Sequence, residues 1–164
     1  PFIKLAGIDP SQASIDVGRK FLPDVLFRTG TVQKLPYHNL EFDIVLTDAV
    51  LIYVPPAEIE QAMDELVRVA KKAIILVEWE GKSLLGEIKH FHWARNYKKL
   101  LEQRGFKVET HKIPKGKWPT RSNNWEKIGY LYVAHRQAFP ISVPSFWHVT
   151  SSVSGTGSET VLTK

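Results

Sequence analysis

Blocks of apolar and polar residues alternate along the first part of the chain, and each block has the length of one strand or helix. The mostly apolar run Phe2 to Ile8 predicts a strand. It closes at Asp9-Pro10, after which Ser11 is predicted to cap a helix that ends near Phe21. The chain therefore opens with a strand followed by a helix.

Two further apolar runs, Val25 to Arg28 and Phe42 to Thr47, predict strands. The second run is continuously apolar at its centre, which is typical of a parallel strand covered on both faces. Pro55-Pro56 is expected to open the next helix, because proline suits a first helical turn. Its predicted apolar face has helical spacing and consists of Ile59, Ala62, Met63, Leu66, Val69 and Ala70.

The second half of the chain continues the alternation. Lys71 and Lys72 are expected at the helix end, before a strand from Ala73 to Val77 and a polar turn from Glu78 to Lys82. A helix should then carry Trp93, Tyr97, Leu100 and Leu101 on one face and stop at Gly105, with Phe106 packed back on it. The last two predicted strands, which should pair antiparallel, are Lys107 to Ile113 and Gly129 to Ala134.

Strands that alternate with helices predict an α/β fold, with a Rossmann-like and mostly parallel sheet closed by a C-terminal antiparallel hairpin. We place this domain at residues 1–137. Residues 138–164 are rich in Ser, Thr and Gly and show no helical period, so they form either a tail or a replacement strand and loop. Ligands of such sheets bind beyond the carboxyl ends of the strands.

Composition narrows the class of protein. The chain has 164 residues, of which 43% are hydrophobic and 24% charged, as in one globular domain. The longest aliphatic run, Ala73 to Val77, is too short to span a bilayer, so we expect no membrane partner. The absence of cysteine excludes disulfides and thiolate metal sites and fits a cytoplasmic location.

The net charge of +5 is unevenly distributed. Residues 89 to 136 contain twelve Lys or Arg against three Glu. Such a stretch either attracts an anionic partner such as nucleic acid or forms a solvated face, and we favour the solvated face.

Asp9 is the most informative single residue, because a carboxylate just past a buried strand can accept hydrogen bonds from both ribose hydroxyls of a nucleotide. A helix-capping or turn Asp is the alternative.

Several segments, in this order and spacing, resemble the class I S-adenosylmethionine-dependent methyltransferases, particularly the small-molecule group. They are Gly7-Ile8-Asp9-Pro10-Ser11, Arg28-Thr29-Gly30-Thr31 with Leu35-Pro36, Phe42-Asp43-Ile44-Val45-Leu46, Leu51-Ile52-Tyr53, Glu65-Leu66-Val67-Arg68-Val69 and Leu100-Leu101-Glu102-Gln103-Arg104-Gly105-Phe106. The resemblance covers roughly residues 3 to 136 and implies S-adenosylmethionine as cofactor.

The resemblance also assigns roles. Asp9 corresponds to the ribose-binding acid, and Thr31 stands where the family often has an Asp that contacts the adenine. Tyr53 corresponds to a residue that faces the substrate. The implied cofactor-binding residues are Asp9, Pro10, Ser11, Gly30, Thr31, Val32, Thr47, Asp48 and Ala49.

Methyl transfer from a sulfonium needs mainly an aligned, desolvated nucleophile. If a general base is needed, the candidates are Tyr53 and His92, although packing is an alternative role for both. His90 and His92 lack a third ligand, so no metal is expected. Trp118 and Trp125 either cover a substrate or anchor the hairpin.

Members of this family have a strand and a glycine-rich turn ahead of the acidic strand, whereas this sequence begins with the acidic strand. Either the sequence is a fragment, or Phe146 to Val153 supplies the strand and Ser154-Gly155-Thr156-Gly157-Ser158 the turn, as in a circular permutation. Ser151 and Val153 depart from the family pattern there, and a flexible tail is the alternative.

The resulting hypothesis is methyl transfer from S-adenosylmethionine to a small-molecule acceptor, such as a sugar or another metabolite. The alternatives are an RNA methyltransferase and a non-catalytic methyltransferase-like module that binds a partner. The sequence does not disclose the oligomeric state.

Overall fold

A computed structural model describes residues 3–89, 92–116 and 123–137. The strands are β1 Ala6–Asp9, β2 Leu26–Thr29, β3 Phe42–Asp48, β4 Ala70–Trp79, β5 Glu87–Lys89, β6 His92–Ala94, β7 Phe106–Lys112 and β8 Gly129–Arg136. The α-helices are α1 Gln12–Phe21, α2 Ile59–Val69, α3 Tyr97–Glu102 and α4 Asn123–Ile128, and a 3-10 turn spans Leu51–Tyr53.

The largest sheet has the strand order β3-β4-β8-β7. β3 and β4 are parallel, and β8 pairs antiparallel with both β4 and β7. The predicted α/β fold and its C-terminal antiparallel hairpin are therefore confirmed.

The unit β1-α1-β2 forms a separate parallel pair of strands. As predicted, Ser11 caps α1: its Oγ accepts a hydrogen bond from the backbone N of Ser14 at 3.3 Å. The helix buries Ile15 and ends at Phe21, as the sequence predicts.

Helix α2 covers one face of the large sheet with the predicted apolar residues. Ile59, Ala62, Met63, Leu66 and Val69 are all buried, in one core cluster with α3 and with residues of β4, β7 and β8. The predicted helix limits were wrong at both ends.

At the N-terminal end, α2 begins at Ile59, because Pro55 and Pro56 precede it in a turn closed by Glu58 N and Pro55 O at 3.0 Å. At the C-terminal end, Lys71 and Lys72 belong to β4, which begins immediately after the helix at Ala70.

The region after β4 also differs from expectation. Trp93 lies in β6, which forms a short hairpin with β5, and α3 begins only at Tyr97. Glu78 is not part of a polar turn: it is completely buried within β4. Gly105, with a φ of 81°, does end the helical segment as predicted, and Phe106 is buried behind it.

The prediction that both faces of β3 are covered was wrong for the described residues. Val45 packs on the cluster that contains α2, whereas Ile44 and Leu46 point to the opposite face and are 57% and 63% exposed. Along the edge, β3 pairs with β4 and β1 pairs with β2, so the part of the chain that the structure describes leaves one edge of each strand open.

Trp125 packs at the end of the hairpin formed by β7 and β8, as one of its two expected roles requires. It lies in α4, is buried, and packs against Trp79 with ring centroids 5.8 Å apart. Trp118, His90 and residues 138–164 lie outside the described residues. No helix within the described ranges is long and apolar enough to cross a membrane.

Candidate active site

A cavity of about 420 Å³ lies between the open edges of β1 and β3. Its volume falls in the range of about 300–1,000 Å³ that is common for small-ligand sites. Leu66 and Val69 of α2 contribute to its lining. Of the cofactor-binding residues implied by the sequence, five line this cavity: Asp9, Pro10, Gly30, Val32 and Thr47.

Asp9 stands at the end of β1 and is half-buried. Its Oδ1 accepts a hydrogen bond from the backbone N of Ser11 at 2.8 Å, so it does serve as a turn residue. An ionised carboxylate has about four acceptor positions on two oxygens, so this contact leaves capacity for a ligand. The turn role and the ribose role are therefore compatible in one side chain.

The other four implied cofactor residues are neighbours, along the chain, of residues that line the cavity, but they do not line it themselves. Thr31 is exposed and forms an isolated bridge with Lys34. Ser11 caps α1, and Asp48 ends β3, where desolvation raises the pKa of its carboxyl. Ala49 has a φ of 53°, a left-handed conformation that a non-glycine residue rarely adopts.

Residues 49–54, which we call the post-β3 turn, are held by hydrogen bonds to the side chain of Glu78. One carboxylate oxygen of Glu78 accepts from Thr47 Oγ1 at 2.9 Å and from the backbone N of Val50 and Leu51 at 3.1 and 3.0 Å. The other oxygen accepts from the backbone N of Ile52 at 3.2 Å. One side chain thus satisfies four donors at the carboxyl end of β3.

Arg95 holds the same turn through its carbonyl groups. This fully buried guanidinium donates to Leu51 O at 2.7 Å, to Val54 O, and to Leu85 O at 3.0 Å. The post-β3 turn is therefore held by two side chains: the Glu78 carboxylate accepts from its N–H groups, and the Arg95 guanidinium donates to its C=O groups.

Burial raises the pKa of Glu78 to about 7, because the desolvation of the charged form outweighs the hydrogen bonds from Leu51, Thr47, Val50 and Ile52. Sequence analysis missed both Glu78 and Arg95 as site residues. The sequence feature that could have identified Glu78 is an acid near the end of a long apolar strand, because a buried carboxylate needs hydrogen-bond donors around it.

Tyr53 and His92, the two candidate bases, are brought together. Their rings meet edge to face with centroids 4.8 Å apart, and His92 also contacts Trp79 at 5.0 Å. Tyr53 is 66% exposed at the outer end of the post-β3 turn. Neither residue lines the cavity, although Val50, three residues before Tyr53, does.

The residues present fit the nucleoside part of S-adenosylmethionine. A half-buried carboxylate, an apolar wall and a strand-end hydroxyl share one cavity of suitable size. Within the described ranges, no group of three or more His, Asp or Glu side chains could hold a metal ion.

Comparison with known proteins agrees with this geometry. The sequence model of a methyltransferase-domain family matches residues 2–73. No curated protein sequence matches the chain at a significant level.

Solved structures resemble nearly the whole described fold. A protein of Pyrococcus horikoshii has 18% identity and a TM-score of 0.60 over 82% of this chain and 72% of its own. An S-adenosylmethionine-dependent methyltransferase of Methanosarcina mazei has 17% identity and a TM-score of 0.60 over 81% of this chain and 82% of its own. Residues 2–73 thus match a methyltransferase-domain family, and the described fold is similar to that of S-adenosylmethionine-dependent methyltransferases.

A third structure has bound product. The magnesium protoporphyrin IX methyltransferase of Synechocystis, with S-adenosylhomocysteine bound, has 18% identity and a TM-score of 0.60 over 81% of this chain and 64% of its own. At these identities the structures establish the fold, and the methyl acceptor has to be argued from the site.

The buried carboxylate of Glu78 should make the stability of the protein depend on pH. Because the folded-state pKa of Glu78 is about 7 against an ordinary value of 4.5, the folded state binds more protons between these values. The free energy of unfolding should therefore fall as pH rises from about 4.5 to 7 and level off above that range. We expect a loss on the order of 3 kcal/mol from this one group.

Urea unfolding at pH 5 and pH 8 would measure this loss, and Glu78→Gln should remove it. Glu102→Gln, at an exposed carboxylate paired with Lys98, is the control and should keep the pH dependence of the unmodified protein. An equal pH dependence in Glu78→Gln and the unmodified protein would contradict the assigned ionisation.

Proposed function

We propose that this methyltransferase transfers the methyl group of S-adenosylmethionine to a small-molecule acceptor held over the post-β3 turn. The observation that carries the proposal is the shared cavity, which has Asp9 at one strand end and Thr47 at the other. Ligands of open α/β sheets bind at such strand ends.

Different residues around the cavity are proposed to contact different parts of the cofactor. In this proposal Asp9 accepts hydrogen bonds from the ribose hydroxyls, and Gly30, Thr31 and Val32 lie beside the adenine. Thr47, Asp48 and Ala49 lie beside the methionine part. The bound cofactor supplies an electrophilic methyl group on its sulfonium.

The acceptor side of the site is rigid. Glu78 and Arg95 together fix the N–H and C=O groups of the post-β3 turn, so Tyr53 projects from a backbone with little freedom. Positioning of this kind is the main contribution that a protein makes to methyl transfer. Tyr53 and His92 contact the acceptor in our proposal, and His92 takes its proton where the acceptor must lose one.

We favour a small-molecule acceptor over RNA because much of the basic stretch is used within the fold. Three of the arginines in the basic stretch are committed to the fold: Arg95 to the post-β3 turn, Arg104 to Glu60 and Asp64, and Arg136 to carbonyls of α2 and β4. On β7 the exposed Lys107 and Lys112 share the strand with the exposed acid Glu109. This mixture is typical of a solvated face.

Cofactor binding should depend on the charge of Asp9. Asp9→Asn keeps a side-chain oxygen that can accept from Ser11 N but removes the charge-assisted bonds to the ribose. A loss of about 1.5 to 3 kcal/mol, or roughly 10- to 150-fold in Kd, is expected for S-adenosylmethionine and its demethylated product. Calorimetry on the full chain measures it.

Asp16→Asn is the matched control, because Asp16 is an exposed carboxylate on α1 outside the cavity lining. Its Kd should match that of the unmodified chain. Equal affinity of the Asp9 and Asp16 variants would refute the ribose assignment, and absence of binding to the unmodified chain would favour the non-catalytic module.

Binding to RNA should be weak. Fluorescence anisotropy with a labelled single-stranded RNA at physiological salt should give a Kd no tighter than about 1 μM, the upper end of non-specific affinity. Replacing Lys107 and Lys112 by Glu should leave cofactor affinity unchanged. Tight RNA binding that falls steeply with salt and disappears in the double variant would instead support the RNA methyltransferase.

A further inference from the structure

The segment between β2 and β3, residues 30–41, carries the proposed adenine contacts, and we call it the β2–β3 loop. It contains no helix or strand, and its one pairing of this kind is the isolated bridge between Thr31 and Lys34. Gly30, Thr31 and Val32 belong to it, and the proposed function puts them beside the adenine. Because such a loop has few backbone partners of its own, contacts with neighbouring elements have to fix its conformation.

Two side chains of α2 supply such contacts. Arg68 donates to the backbone carbonyls of Leu35 at 3.0 Å and Tyr37 at 2.7 Å, and to Asn39 Oδ1 at 3.0 Å. Glu65 Oε2 accepts from the backbone N of Leu35 at 2.7 Å. The pair of Glu65 and Arg68 therefore contacts the loop at three alternate residues.

The guanidinium of Arg68 uses all of its donors in this arrangement. Three of its five N–H groups bond to the loop, and the other two bond to Glu65, from Nε at 2.6 Å and from Nη2 at 2.8 Å. Such a bidentate, charge-assisted pair fixes both side chains. The hydrogen bond from Arg68 also lowers the pKa of the Glu65 carboxyl, so the pair is ionised near neutral pH.

The pair does more for the loop than for its own helix. An ion pair three residues apart adds little to the stability of a helix by itself. The bonds from Glu65 and Arg68 to the loop, in contrast, join residues that are 29 to 33 positions apart along the chain.

We propose that Glu65 and Arg68 are positioning residues for the cofactor, which hold the β2–β3 loop so that Gly30, Thr31 and Val32 meet the adenine. This inference rests on the proposed function, because it assumes that the adenine lies beside this loop. Neither side chain lines the cavity, so both act through the loop. Without them the bound ligand would have to order the loop, at the expense of affinity.

A purely structural role is the competing explanation, and the other contacts of the loop make the two separable. Leu35 is buried in the cluster that contains α2, and Arg28 donates to Pro36 O at 2.9 Å. These contacts do not involve the side chain of Glu65 or Arg68. Variants of the pair should therefore fold, with a loop that is attached but less rigid.

Arg68→Lys is the test variant, because it keeps the positive charge but loses the planar fork that reaches the loop and Glu65 together. The Kd of S-adenosylhomocysteine, measured by calorimetry on the full chain, should rise by roughly tenfold. Glu65→Gln, which keeps one oxygen for Leu35 N, is the second variant and should weaken binding by a smaller factor. Circular dichroism checks that both variants fold.

Selectivity for the base separates positioning from a general loss of stability. S-inosylhomocysteine differs from S-adenosylhomocysteine only in the base, where a carbonyl oxygen replaces the amino group. The unmodified chain should prefer the adenosyl ligand by at least about fivefold, and this ratio of Kd values should fall towards one in Arg68→Lys. A loss of stability alone changes both Kd values by the same factor and leaves their ratio unchanged.

Arg104→Lys is the matched control. Arg104 also bonds to two carboxylates of α2, donating to Asp64 Oδ1 at 2.8 Å and to Glu60 Oε2 at 2.5 Å, and to the carbonyl of Leu100 at 3.0 Å. It joins α2 to α3 instead of to the β2–β3 loop. Its variant should therefore keep both Kd values and their ratio.

Each outcome decides the inference. Weaker binding and a ratio near one in Arg68→Lys, with Arg104→Lys unchanged, support it. Equal losses in both arginine variants with an unchanged ratio indicate a structural role and overturn it, as does unchanged binding in Arg68→Lys. The same readings apply to Glu65→Gln. If the unmodified chain binds both ligands equally, the inference alone fails; if it binds neither, the proposed function fails and the inference fails with it.

Discussion

The carboxylate of Glu78 is the interaction on which the candidate site depends. It is completely buried, yet it accepts from one hydroxyl and three consecutive backbone N–H groups. Those groups leave the parallel ladder where β3 ends, and a buried N–H without a partner costs about 1–3 kcal/mol. Leu51 and Ile52 can therefore be buried because β4, the neighbouring strand, places an acid near its end.

Arg95 completes the arrangement from the other side. The backbone carbonyls of the turn are held as well, because Arg95 donates to Leu51 O in its middle and to Val54 O at its C-terminal end. The same turn contains Ala49 in a left-handed conformation, and surrounding contacts must hold a residue there. The backbone N of Ala49 donates to Val77 O at 2.9 Å, and Glu78 holds the next residue, Val50, through its backbone N.

The parts of this fold that follow from local pattern could be predicted, and the parts that depend on distant partners could not. Ser11 caps α1 through a group three residues away, and the apolar face of α2 follows helical spacing. In contrast, Glu78 bonds to residues 26 to 31 positions earlier, and Arg95 to residues 41 and 44 positions earlier. No local period distinguishes such a buried acid from a turn residue.

The predicted C-terminal boundary of α2 was wrong for a related reason. Lys71 and Lys72 look like a helix end, but pairing of β4 with β3 begins at Ala70 and draws both lysines into the strand. Lys72 then pairs with Asp43 on the adjacent strand at 2.8 Å. Tertiary pairing overrode a local preference worth a few tenths of a kcal/mol.

The two halves of the candidate site differ in how completely the described residues determine them. The proposed acceptor half is held by contacts among described residues. Glu78 and Arg95 bond to the post-β3 turn, and the rings of Tyr53, His92 and Trp79 pack together. The cofactor half spans two sheets that share a cavity but no strand pairing in the described ranges. Asp9 and Thr47 can therefore hold one ligand only if the spacing between β1 and β3 is fixed.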